Sequence, residues 1–346
     1  MSQSLRSRIA LAAIRKRLPK LVAADPVAEL PDGLHVAIAG SGSPLPDPKR
    51  GSPCAAVIAG GRVYVVDAGE GASETLNRMR IAPNRIEALL LTHFHSDHIG
   101  GMGSLNLQRW VAAAAETPMR VLGPPGVERV VAGFNEAYAF DSGYRTGHHG
   151  ADLAPPTSSA MVAEPFALPD RDGAAVVLDE DGLEVTAFVV DHPPIEPAVG
   201  FRFDYRGRSA VLSGDTVYTA ALVRAAAGAD LLVHDALSPE LLKLVEDAAR
   251  DAGQTERSRI LADVPDYHAT APQAADAARE ASVGALALTH IVPPLPLKGL
   301  EGPFLGDARE RFSGPLWLAR DGDLYSLPAG GTGVERSRMF GRGPGG

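Results

Sequence analysis

Residues 91–101, Leu91-Thr92-His93-Phe94-His95-Ser96-Asp97-His98-Ile99-Gly100-Gly101, constrain the chain more than any other stretch. Three imidazoles and a carboxylate crowd into positions 93–98, directly after an apolar run (86–91) that reads as a buried strand. A strand ending in such a cluster throws its polar side chains onto one rim of a sheet. His93 and His95, two apart, can converge on one metal ion. Asp97 and His98, a step further round the turn, can reach a second. Zinc favours nitrogen and oxygen donors of this kind, and a catalytic site leaves one position for water. A histidine-rich surface loop rarely follows a buried strand at this spacing, so the stretch is read as a metal site.

Other strand ends carry polar residues in a telling order. Val63-Tyr64-Val65-Val66-Asp67-Ala68-Gly69-Glu70-Gly71 is a β-rich run ending in an Asp and a glycine turn. Asp191-His192-Pro193 follows the apolar run 185–190, and Val211-Leu212-Ser213-Gly214-Asp215-Thr216 is another strand ending in a carboxylate. Leu286-Ala287-Leu288-Thr289-His290-Ile291 closes the series. A lone histidine at a strand end is more often structural than a ligand. The ordered series is not explained that way.

The H-x-H-x-D-H run and the elements around it resemble the metallo-β-lactamase superfamily. The resemblance implies an α/β fold, the four-layer αββα sandwich. It also implies two ions: His93, His95 and His192 hold the first, Asp97, His98 and His290 the second, and Asp215 bridges both. Asp67 is expected to orient the ligand loop from behind. Two metals about 3.5–4 Å apart would share a hydroxide, lower its pKa and polarise the ester under attack. Zn2+ is the expected ion, with Mn2+ or Fe as alternatives because His/Asp sites accept several metals. No cysteine stands at a ligand position, unlike the β-lactamases that use a thiolate.

Composition bounds the rest. The 346 residues carry 33 Lys and Arg against 42 Asp and Glu, a net charge of −9 that disfavours generic polyanion binding but leaves room for a local basic patch. The single cysteine, Cys54, excludes an intramolecular disulfide. No run approaches the roughly 20 apolar residues that cross a bilayer, and cytoplasmic residence is the default expectation. Residues 5–22 set Arg6, Arg8, Arg15, Lys16, Arg17 and Lys20 among Ile9, Leu11, Ile14, Leu18 and Leu21. The apolar run is too short for a secretory signal. Such a basic amphipathic helix suits an anionic membrane surface; the favoured expectation is an arm packed on its own domain or on a partner subunit, a homodimer being the oligomer considered.

Periodicity predicts strands at 34–39 and 54–59, and helices at 73–80, 104–115 and 126–138 with a strand at 119–122. Residues 141–172 read as polar loop. Strands return over 174–212, with 198–205 and 208–212 pairing across Gly207. Helices at 219–227, 239–252 and 272–281 alternate with strands at 231–233 and 285–288. The domain reading is an arm at 1–30, one hydrolase domain at 31–328 and a disordered Gly/Arg-rich tail at 329–346.

Flanking residues narrow the branch. Ala39-Gly40-Ser41-Gly42-Ser43-Pro44-Leu45-Pro46 resembles the Gly-Ser/Thr-Gly-x-Pro loop of ribonuclease Z-like and aryl-sulfatase-like members, and Val66 to Gly71 resembles their Asp-x-Gly-x-Gly turn. Asp266-Tyr267-His268-Ala269-Thr270 stands where those chains have His-Ser-Thr. His234-Asp235-Ala236-Leu237 stands where they have His-Glu-Ala-Thr-Phe. A histidine held by a carboxylate suits protonation of a leaving oxygen. His268 is therefore expected to be that donor and Asp235 to orient it, with one methylene less reach than Glu. His234 is read as structural. Ribonuclease Z-like chains grip tRNA with an arm between the third and fourth motifs, but here only 22 residues separate His192 from Asp215. Residues 126–172 instead bear Tyr144, Arg145, His148 and His149, candidates for contacting an anionic or aromatic substrate. The expected partner is thus a small-molecule ester, a sulfate ester or phosphodiester. The alternatives are a lactonase or β-lactamase-like hydrolase of cyclic esters and amides, and a non-catalytic scaffold that binds a membrane or partner through its N-terminal helix. The intact ligand set argues against the scaffold.

Overall fold

The computed structural model describes residues 5–112 and 115–340. Helix α1 (Leu5–Ala23) precedes strand β1 (Gly33–Gly40). Strands β2 (Cys54–Ala59) and β3 (Arg62–Val66) then pair antiparallel across Gly60-Gly61. Both turn glycines have positive φ (57° and 77°), the twist that a two-residue hairpin demands. Helix α2 (Ala72–Arg78) leads to β4 (Ile86–Leu90), and the short helices α3 (Ser96–Ile99) and α4 (Met102–Leu107) lead to β5 (Met119–Gly123). Helix α5 (Val127–His149) precedes β6 (Met161–Pro165). Strands β3 to β6 run parallel.

The second half starts as a meander of β7 (Ala174–Glu180), β8 (Leu183–Val189), β9 (Val199–Tyr205) and β10 (Arg208–Leu212). Helix α6 (Ala220–Ala225) connects to β11 (Leu231–Leu237), after which come α7 (Pro239–Asp251), α8 (Thr255–Asp263) and α9 (Ala271–Glu280). Strand β12 (Ala285–Val292), helices α10 (Glu301–Leu305) and α11 (Ala308–Arg311), and β13 (Leu316–Leu318) complete this half. The chain then returns to the first sheet with β14 (Asp323–Pro328) and β15 (Glu335–Arg338).

Two mixed sheets result, ordered β15-β14-β1-β2-β3-β4-β5-β6 and β13-β12-β11-β10-β9-β8-β7. Val36, Val57, Tyr64 and Leu90 from one sheet share a buried core with Val185, Phe201, Phe203 and Val233 from the other. Leu76 of α2, Leu105 of α4 and Val131 of α5 cover the first sheet's outer face. The second sheet is covered by α9, whose Ala271, Ala274, Ala275 and Ala278 let helix and strands approach closely. The layers are helix, sheet, sheet, helix, the αββα sandwich. Each half contributes parallel strands whose C-terminal ends share a rim, the usual place for a site in sheets of this kind.

Four expectations require correction. Helix α5 runs to His149, eleven residues past the expected end at 138, so 141–149 is not loop. The Asp141-Ser142-Gly143 stretch reads as a breaker, but exposed helical glycine costs only about 1 kcal/mol relative to alanine. The tail is not wholly disordered: β15 pairs with β14, and Arg336 donates at 2.7 Å to the fully buried Asp323. Residues 341–346 lie outside the described chain. Helix α1 does not pack its apolar residues on the domain, since Ile9, Leu11, Ile14, Leu18 and Val22 are all exposed. The 104–115 helix starts at Met102 and ends at Leu107, passing into a wider turn over Gln108–Ala112.

Candidate metal centre

Four strand ends and one strand interior deliver the predicted residues to one place. β3 ends before Asp67, β4 before the 93–98 turn, β8 before His192 and β10 before Asp215, while His290 sits inside β12. Ligand atoms of His93, His95, His192 and Asp215 lie within 4.8 Å of one another, as do those of Asp97, His98 and His290. Five of the seven are buried, Asp97 is nearly so with its side chain 9% exposed, and His95 is half-buried. Among the described residues these groups, with one joining Asp215, His268 and His290, are the ones that could hold a metal ion.

Hydrogen bonds set which nitrogen of each ring is free. Asp67 Oδ1 accepts from the Thr92 backbone N–H at 2.9 Å, and its Oδ2 accepts from Thr92 Oγ1 and from His98 Nδ1, both at 2.8 Å. Thr92 Oγ1, its proton given to Asp67, can accept from His93 Nδ1 at 3.0 Å. His192 Nδ1 donates to the Tyr267 carbonyl at 2.9 Å. In each case Nε2 remains as the bare donor to a cation, the tautomer selection typical of metal-ligating histidines. Thr92 is a supporting residue that sequence reasoning missed, although its position between a strand and the first ligand was visible.

The spacing fits cations. Around a tetrahedral zinc with bonds of about 2.0–2.1 Å, ligand atoms stand roughly 3.3 Å apart. His95 Nδ1 lies 2.9 Å from His93 Nε2 and 3.3 Å from His192 Nε2. Asp215 Oδ2 lies 3.2 Å from His98 Nε2 and 3.1 Å from His290 Nε2, and Asp97 Oδ2 lies 3.6 Å and 3.5 Å from the same atoms. The same Asp215 oxygen is 4.0 Å from His93 Nε2, placing it between the two groups. Asp97 Oδ2, His98 Nε2 and His290 Nε2 are buried without a hydrogen-bond partner, a cost that native interiors rarely carry without an ion or ligand.

Electrostatics divides the site. Burial, reinforced by neighbouring imidazoles, holds His93 well below the ordinary histidine range, and burial also lowers His95 and His192. Burial opposes charge on His98 and His290 as well, but nearby Asp215, aided by Asp67 and Asp97 respectively, outweighs it and raises both. Burial would raise Asp215; His290 and His98 overcome that and hold it ionised.

Backbone strain marks two of these positions. Asp67 and His290 both adopt left-handed φ, 56° and 46°, a conformation uncommon outside glycine and concentrated at functional sites. The turn after Asp67 needs Gly69, because a Cβ there would fall 2.2 Å from the Asp97 carbonyl.

Beside the cluster, His268 Nδ1 donates to Asp235 Oδ2 at 2.9 Å, and the other Asp235 oxygen lies 2.9 Å from His234 Nδ1. The shorter Asp therefore reaches His268, and His234 flanks it from the opposite side. The ring of His268 stacks on His290 with centroids 4.9 Å apart. With Nδ1 occupied, Nε2 is the nitrogen free to face the cluster.

Tyr144, Arg145, His148 and His149 are not brought to this centre. They occupy the last turns of α5, where Arg145 pairs with Asp141 and the two histidine rings contact each other edge-on. The helix starts beside Phe94, near Gly126, so Tyr144 lies about 27 Å along it at 1.5 Å per residue. Their clustering in sequence reflects a solvated helix end.

A model of the metallo-beta-lactamase superfamily matches residues 48–262. A ribonuclease Z from Mycobacterium avium is 38% identical over 290 residues, covering 83% of this chain and 96% of that protein. Among solved structures, the metallo-beta-lactamase fold protein YhfI from Bacillus subtilis superposes with a TM-score of 0.60 at 18% identity, covering 86% of this chain and all of that one. Human tRNase Z, short form, gives 0.58 at 22%, covering 85% of this chain and 99% of that one. The chain belongs to the metallo-beta-lactamase superfamily and, within it, to the ribonuclease Z-like branch. It is a metal-dependent hydrolase.

Proposed function

We propose that this hydrolase cleaves phosphodiester bonds in RNA near a 3′ end, tRNA precursors being the substrates its relatives' names point to. The observation that carries the reading is a cation-rich groove whose walls include segments continuous with metal-site residues. A cavity of about 700 Å3 is lined by Lys49, Arg50, Arg78, Lys298, Arg320 and Arg338 against three carboxylates, Asp47, Glu301 and Asp321. Asp321 is turned inward, accepting from Ser41 and the Gly51 N–H. A positive groove on a chain of net charge −9 is suited to successive phosphates and is larger than one small ester requires. One wall, with Leu295, Leu297 and Lys298, is the segment leaving His290, and another is the 47–51 loop leading to Ser52 and Gly69 beside Asp97.

The chain's own residues divide the work. His93, His95 and His192 would hold one divalent cation, and Asp97, His98 and His290 a second, with Asp215 shared. Bound there, two cations supply a nucleophilic water of lowered pKa and charge neutralisation at the phosphoryl oxygens. Asp67 and Thr92 keep His93 and His98 in the tautomers that ligate. His268, oriented by its hydrogen bond to Asp235, would protonate the departing ribose oxygen. Zinc is the ion best matched to this donor set.

A second reading keeps the substrate small. The segment between His192 and Asp215 is little more than the β9–β10 hairpin and holds no arm. A small phosphodiester or sulfate ester needs no such grip. Replacing Arg78 and Lys298 together by alanine separates the readings. RNA cleavage should lose kcat/KM at least tenfold and show a shallower salt dependence, while an aryl phosphodiester is unaffected. Equal behaviour of both substrates would favour the small-ester reading.

A further inference from the structure

We propose that helix α1 is an anchor that lays the enzyme on an anionic membrane surface. The proposal is independent of which ester the metal centre hydrolyses.

The charge segregation is extreme. The stretch 5–23 holds six cations and no carboxylate, so a chain of net charge −9 consists of a +6 helix and a −15 remainder. Four of the apolar residues form a stripe, while Ile9 falls on the opposite face. At 3.6 residues per turn, Leu11, Ile14, Leu18 and Val22 fall within about 80° of one another on the helix wheel. Arg8 and Arg15 border one edge of this stripe and Arg17 the other, with Lys16 nearly opposite. All four stripe residues are exposed, from 41% for Leu11 to 77% for Val22. An apolar face flanked by arginine is the pattern by which a helix lies in the headgroup region. No described helix is long and apolar enough to cross a membrane, so the contact is to one surface.

Other occupants fit less well. RNA phosphates would engage the cations but leave the Leu and Ile stripe in water. The protein's own acidic body is electrostatically attractive and is tethered to α1 at high effective concentration, yet it does not cover the stripe. A second copy presents the same body without the advantage of the tether. An anionic bilayer satisfies charge and apolar surface together, and its attraction falls off within a Debye length. The joint is built to hold: past α1, Val27 is buried, Leu30 packs against the first sheet's outer core, and Asp25 accepts from Arg85 Nε at 3.1 Å. A docked helix would therefore carry the folded domain with it.

The test is co-sedimentation of the full-length chain with vesicles of phosphatidylcholine alone and of phosphatidylcholine with about one-third phosphatidylglycerol. Binding should be at least tenfold stronger to the anionic vesicles and weaken in high salt. Leu11→Gln/Ile14→Gln/Leu18→Gln and Arg15→Gln/Lys16→Gln/Arg17→Gln should each lose at least tenfold, with turnover of an aryl phosphodiester unchanged. Absence of vesicle binding overturns the proposal, as does binding that survives the leucine and isoleucine replacements. It is equally overturned if these variants leave vesicle binding intact and instead weaken affinity for an RNA hairpin or change the sedimentation coefficient of the free protein.

Discussion

Replacing Asp235 by Asn removes one charge beside His268 while keeping volume and one acceptor oxygen. Asp235 is 1% exposed; burial would raise its carboxyl, but His234 and His268 hold it below the ordinary value, so it faces His268 as an anion. Two unit charges about 4 Å apart at an effective dielectric of about 20 interact by about 4 kcal/mol, an upper limit on what the anion contributes to a protonated His268. Losing a charge-assisted hydrogen bond costs about 1.5–3 kcal/mol. At about 1.4 kcal/mol per tenfold, Asp235→Asn should lower kcat/KM on RNA by about 10–150-fold. His268→Ala should cost about 10²–10⁴-fold, the range of a lost general acid. The double variant should be no worse than His268→Ala, because Asp235 acts through that ring. The assay compares an RNA with a 3′ extension, whose leaving ribose oxygen needs a proton, and bis(p-nitrophenyl) phosphate, whose leaving group does not. Loss on the aryl ester should be less than about tenfold. Equal losses on both substrates, or full activity of Asp235→Asn on RNA, would refute the assignment of His268 as proton donor.

Other consequences follow from the same geometry. Asp67→Asn tolerates the left-handed backbone but presents an amide N–H to a donor on Thr92 or His98; metal affinity should fall about 10–100-fold by competition with a chelator, and an unchanged affinity would dismiss the orienting role. Because nearby carboxylates raise His98 and His290 in the metal-free site, zinc binding should release protons near neutral pH, fewer as pH rises. Calorimetry in buffers of different ionisation enthalpy reads this, and zero release would contradict the charge distribution described. Arg336→Ala strips one donor from buried Asp323 and should destabilise the fold by about 1–3 kcal/mol, seen in urea titration, whereas no change would show that β15 adds nothing to stability.

The metal centre was legible because its residues sit at strand ends, where an apolar run followed by His or Asp is a local signal. Positions 67, 93–98, 192, 215 and 290 are each preceded by such a run, and the structure gathers them. The His268–Asp235 pair was legible only through resemblance, since 33 positions separate the two and no local pattern predicts that they touch. Thr92 and the second face of Asp235, taken by His234, depend on side-chain directions that spacing does not give. The α5 end was misread because polar residues and glycines suggest a loop even where a helix projects into solvent. β15 was hidden for a similar reason: its pairing is secured by Asp323 and by Arg208, which donates to the Gly333 carbonyl at 2.9 Å across the fold. The cationic groove assembles residues from five distant segments, so only folding reveals it.

Cleavage of a tRNA precursor transcript carrying a 3′ extension, with zinc-loaded protein and end-mapping of the products, tests the central claim most directly. The account predicts one discrete cut at the 3′ side, abolished by chelation and lost in Asp97→Ala. An intact transcript under conditions where the same preparation hydrolyses a small phosphodiester, sulfate ester or lactone would contradict it.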